Sequence, residues 1–157
     1  MMIPKFRAFD KEHKMMCEVT LIRFSDVQYM SVKYRINKNG KKIDEWSNLD
    51  DDACGTCVLM QSTGLKDKNG VEIFEGDIVR HSKISTDISI VRFGEFGVPN
   101  IEEMEYQDMA VGFYFENASD LKDVEPFNMT IPLNNLYVKG IEIIGNIYEN
   151  QELLEVE

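Results

Sequence analysis

Several things are scarce in these 157 residues. No apolar run approaches the roughly 18 to 20 residues that a membrane-crossing helix needs. The opening stretch MMIPKFRAFDKEHK carries charge and proline where a signal peptide requires an unbroken apolar segment. Both absences predict a cytoplasmic chain with no membrane partner. Cysteine is sparse and odd in number, at three, which argues against a disulfide framework in a reducing compartment. Positive charge is also short. Seventeen Lys and Arg face 28 Asp and Glu, for a net charge of -11, so nucleic-acid phosphate and anionic lipid are repelled on average. Catalytic signatures are missing. There is no G-x-S-x-G, no H-E-x-x-H and no phosphate-loop glycine pattern. The two histidines, His13 and His81, stand in no nucleophile context. The chain is therefore expected not to be an enzyme and to need no cofactor.

What is present is a globular composition patterned for strands. Hydrophobic residues make up 43% and charged residues 29%, enough apolar surface for a core. The length suits one domain spanning 1–157, or two β subdomains at about 1–50 and 58–157. Most segments alternate with period two. FRAF (Phe6 to Phe9) and CEVTLIRF (Cys17 to Phe24) are strands about the polar turn DKEHK. In YMSVKYRI, Met30, Val32, Tyr34 and Ile36 share one face, with Ser31, Lys33 and Arg35 on the other. Asn39 and Gly40 then turn the chain into KKIDEW as a hairpin. DIVRHS and DISIVRF form two strands about a turn at Lys83 to Thr86. FGEFGVPN, with two glycines and a proline, is expected to be a loop or bulged corner. NIEEMEYQDMA is open between a short helix and an acidic loop. VGFYFE and IEIIGNIYE are further strands, the latter bent at Gly145, and NQELLEVE is expected to form a turn or two of helix capped by Asn150. The expected fold is mainly β: small β-barrel, SH3-like subdomains with short strands and one or two short helices.

Three constellations offer chemistry. Cys54-Gly-Thr-Cys57, with His13 and Cys17, has the ligand types of a structural zinc site. The acidic run Asp50 to Asp52 would raise the thiol pKa values, which speaks against a redox pair. One C-x-x-C is a weak signal, and two small loop or core residues are the expected outcome, with no metal. Lys33, Arg35, Lys38, Lys41 and Lys42 form the basic island of the chain, with Tyr29 and Tyr34 nearby. A basic hairpin of this kind is a candidate nucleic-acid contact. The competing reading, favoured by the net charge, is an edge hairpin protected by lysine. DKNG begins like a calcium loop, but its strand-like flanks lack the later ligands and helices.

The third is LMQSTGLKDKNGVEIFEGDIV, Leu59 to Val79, dense in Gly64, Asp67, Asn69, Gly70, Gly76 and Asp77. Together with the N-terminal KFRAFD and the C-terminal IIGNIYEN around Gly145, it resembles the YopX family of phage and prophage proteins. The resemblance touches the start, middle and end of the chain. It implies a β-rich, small-barrel fold that self-associates into a homo-oligomer, in the cytoplasm of a bacterial host, with phage or host protein partners and no catalytic activity. The motif residues are expected to be structural, shaping turns. The expected function is thus a phage- or prophage-encoded accessory protein, non-catalytic and self-associating. Nucleic-acid binding through residues 33–42 is the alternative.

Overall fold

Alternation of apolar and polar side chains builds the described part of this molecule mainly from strands. The computed structural model describes residues 4–24, 30–48, 56–81, 87–100, 102–103, 105–118 and 130–155. The chain divides into two compact units, Met1–Gln61 and Ser62–Glu157.

In the first unit β1 (Phe6–Asp10), β2 (Met15–Phe24), β3 (Met30–Lys38), β4 (Lys41–Asn48) and the first half of β5 (Cys57–Lys66) pair antiparallel in the order β4-β3-β2-β1-β5. Asp10 makes the first turn. Its Oδ1 accepts the backbone N–H groups of Glu12 and His13, each at 2.8 Å, an Asx turn that satisfies donors the ladder cannot. The β3–β4 hairpin closes on Asn39 (φ 54°) and Gly40 (φ 77°), as the Asn-Gly pair predicts for a two-residue turn. Val32, Tyr34 and Ile36 are buried, and with Ala8, Cys17 and Cys57 they form the unit's core.

The second unit holds the rest of β5, paired with β6 (Glu72–Phe74). Its larger sheet contains β7 (Asp77–Arg80), β8 (Ile88–Asn100), β9 (Glu105–Asn117), β10 (Ile131–Pro132) and β11 (Glu142–Asn146), in the order β10-β9-β8-β7-β11. Two 3-10 turns, Tyr137–Lys139 and Gln151–Leu154, are its helices among the described residues. Ile73, Val79, Val91, Phe115, Val138 and Ile141 make its core.

The mainly-β expectation holds, with the two short helices. The sheets are open, however, and no closed barrel forms among the described residues. Not all strands are short. FGEFGVPN is the outer half of β8, not a loop, because Gly94 pairs opposite Gly112 and the Tyr106 ring fills the space over Gly97. The strand register shifts between Val98 and Pro99, so proline enters the strand where the ladder is already irregular. NIEEMEYQDMA supplies a turn at Glu102 and Glu103 and then the start of β9, not a helix. Asn150 does not cap the last 3-10 turn. Its Oδ1 accepts the N–H of Asn146 at 3.2 Å instead. The expected turn at 83–86 lies outside the described residues, as does the acidic run at 50–52. Among the described residues no helix is long and apolar enough to cross a membrane.

Candidate functional site

The glycine-rich motif folds into a corner organised by buried carboxylates. Asp67, 6% exposed, accepts the N–H of Asn69 (2.8 Å) and Val71 (2.9 Å) on Oδ1, and that of Ile143 (3.2 Å) on Oδ2. Burial alone would push its pKa up, but these donors outweigh it and hold the carboxyl below the usual range. Asp77 Oδ2 accepts the N–H of Phe74 at 2.8 Å. Gly76 sits at φ 78°. Its N–H donates to Val91 O and its carbonyl accepts from Ile147, at 2.8 and 2.9 Å. Gly64 and Gly70 also have positive φ. At Gly145, beside the register shift in β11, a Cβ would lie 2.6 Å from Asn150 Oδ1. These residues hold backbone, with their polar atoms turned on the fold itself.

The basic hairpin is partly neutralised. Asp44 pairs with both Lys33 and Arg35 at 2.9 Å, and Glu18 lies 3.6 Å from Arg35. Hydrogen bonds from Lys33 and Arg35 hold the Asp44 carboxyl below the ordinary carboxylate range. Lys33 and Arg23 flank the half-exposed Trp46 ring. Lys38, Lys41 and Lys42 are exposed at the hairpin end.

The zinc candidates have other occupations. Cys17 and Cys57 are buried thiols outside any disulfide in the first unit's core, and burial pushes the Cys57 thiol up. His13 Nδ1 lies 3.1 Å from Asp10 Oδ2. Cys54 lies outside the described residues, and among those described no three His, Cys, Asp or Glu side chains gather as a metal site. Buried Tyr34 is hydrogen-bonded to Thr56 at 3.3 Å, and burial together with Asp10 pushes its hydroxyl up to about 12.

Two features escape a reading of the sequence. The first is the β8–β9 arm. Its strands stay paired from Ser89↔Asn117 to Asn100↔Glu105, whereas β10 pairs with β9 only at Tyr114 and Phe115. Val91 and Phe115 belong to the core. Along the same face follow Phe93 (46% exposed) opposite the half-buried Phe113, then the exposed Glu95 opposite Val111 (73%), and Gly97 opposite Met109 (56%). On β9 the apolar stripe of the core thus runs out along the arm into solvent, with Glu95 of β8 beside it.

The second is a cleft of about 340 Å³ at the base of β7 and β8. His81, just past β7, lies diagonally across the hairpin from Ser89, so both side chains fall on one face. His81 Nε2 and Ser89 Oγ are 2.9 Å apart, and the imidazole stands edge-on to Phe115 at 5.0 Å. Burial pushes the His81 pKa down, opposed in part by the charge of Asp87, so the ring is neutral at pH 7. Asp87, Asn117, Ile131 and Tyr137 complete the lining. The turn expected at 83–86 was the signal that would have paired these positions.

A crystal structure of protein EF1440 from Enterococcus faecalis is similar over 99% of this chain and 100% of that one, with 34% sequence identity and a TM-score of 0.57. Nothing among curated proteins matches the chain. The family model described as YopX protein matches residues 5–155. With nearly its whole length matched, the chain belongs to the YopX family.

Proposed function

We propose that this is a phage- or prophage-encoded accessory protein, cytoplasmic in a bacterial host, that acts without catalysis by assembling with copies of itself. The β8–β9 arm carries this reading. A two-stranded ribbon is at best marginally stable in water, and a strand edge is a template for another strand. Here the edge of β9 outside Tyr114 has no strand partner among the described residues, beside exposed Met109 and Val111. Antiparallel pairing of β9 with β9 of a second copy about a two-fold axis needs no other sequence, since each copy presents the same surface. The non-catalytic part is supported by the motif of the family, whose side chains hold turns. The ion pairs at Lys33 and Arg35 weigh against the nucleic-acid alternative.

Size-exclusion chromatography with light scattering tests the assembly. The expected result is an oligomer that dissociates on Met109→Lys with Val111→Lys, the circular dichroism being unchanged. A monomeric wild-type chain at about 100 µM, a concentration at which any micromolar contact is populated, overturns it.

A further inference from the structure

We propose that the cleft around His81 binds a small, flat organic cation bearing N–H donors, of the amidine or guanidine type. A cavity of about 340 Å³ is at the lower end of the range for ligand sites and suits a single-ring compound. Of its aromatic lining, Phe115 is almost fully buried and Tyr137 carries the accessible surface. Tyr137 is half exposed, and an aromatic face attracts a cation through its quadrupole.

Charge then selects the sign. Asp87 is the charged residue of the lining, and no lysine or arginine joins it among the described residues. The imidazole adds no positive charge, because burial keeps it neutral. The chain as a whole carries -11, which raises the local concentration of cations over anions.

Hydrogen-bonding capacity points the same way. His81 Nε2 is taken by Ser89. The Asp87 backbone oxygen accepts the His81 N–H at 3.0 Å, which leaves its carboxylate a separate task. That carboxylate has no hydrogen-bond or ion-pair partner among the described residues, although it lines a cleft. A carboxylate accepts two parallel N–H donors from a planar amidinium, the geometry that makes such pairs strong. Asn117 lines the same cleft and offers a neutral polar contact beside it.

The test titrates the full chain with benzamidine, followed by amide and imidazole NMR shifts. Saturable shifts at His81, Ser89 and Asn117 are expected, with none from benzoate. Asp87→Asn should weaken binding at least about tenfold, as expected for loss of a charge-assisted bond. The Asp87 backbone contact survives that substitution, so an unchanged melting temperature certifies the fold. Benzoate or benzyl alcohol binding as tightly, an Asp87→Asn chain binding like wild type, or no saturation by about 10 mM, weaker than any specific site of this class, each overturns the proposal.

Discussion

Removing the Asp67 carboxylate should destabilise the second unit strongly. Three backbone N–H groups converge on it, two from its own turn and one from Ile143 in β11. Hydrogen bonds to a charged group are worth about 1.5 to 3 kcal/mol each, and orphaned donors cost about as much. Water can reach part of the turn, so the three do not sum in full. We expect Asp67→Ala to lose about 3 to 5 kcal/mol, a large share of a typical total of about 5 to 15. Asp67→Asn is the sharper probe. Its remaining oxygen can still serve Asn69 and Val71, while its NH2 group faces the Ile143 N–H, donor against donor. We expect about 1.5 to 3 kcal/mol for that one bond. Urea unfolding followed by circular dichroism measures both. The pH dependence adds a check with a definite sign. The folded pKa lies below the unfolded value, so the stabilisation is present above the ordinary carboxylate range and is lost as pH falls through the folded pKa. Asp67→Asn should therefore flatten the decline of stability between about pH 5 and 2. If Asp67→Ala cost under about 1 kcal/mol, the lower end of a single orphaned donor, the view of Asp67 as the corner's organiser would fail.

Two further substitutions probe glycine positions. Gly76→Val forces a β-branched residue to φ 78° and should cost about 2 to 3 kcal/mol, lowering Tm by roughly 5 to 10 °C; Gly76→Asn should cost least, since Asn tolerates that region, and equal Tm values for the two variants would refute the turn geometry. Gly145→Ala should push Asn150 off the Asn146 N–H and cost about 1 kcal/mol, but much less in an Asn150→Ala background; additive costs in that cycle would show the two sites uncoupled.

The first unit was largely legible. Alternation in YMSVKYRI placed Val32, Tyr34 and Ile36 in the core, and Asn39-Gly40 marked the hairpin. Local chemistry decides such features, and local chemistry is what a sequence displays. The long arm was not legible, because Gly94, Gly97 and Pro99 signal breaks when met singly. Only the partner strand, with Gly112 opposite and the Tyr106 ring over Gly97, makes them strand residues. Asn150 misled for the same reason: its cap signature is local, whereas Gly145 leaves room for its side chain to reach back to Asn146. The motif was legible as turns, but not as a junction, since Asp67 and Ile143 lie 76 residues apart in the sequence. His81 and Ser89 are unremarkable until the hairpin sets them side by side.

The position of β11 bears on how the chain is made. β7 lies between β8 and β11, yet β11 ends at Asn146, well after β7 ends at Arg80. A ribosome adding about 5 to 20 residues per second leaves one side of β7 bare for roughly 3 to 13 s. During that interval Ile78 and Val79, fully buried in the finished molecule, sit on an open edge, and Asp67 waits for the Ile143 N–H. A strand made after β7 to β10 is thus the one that seals the far side of β7, and the seconds before its arrival are when a chaperone or a neighbouring chain has its opening.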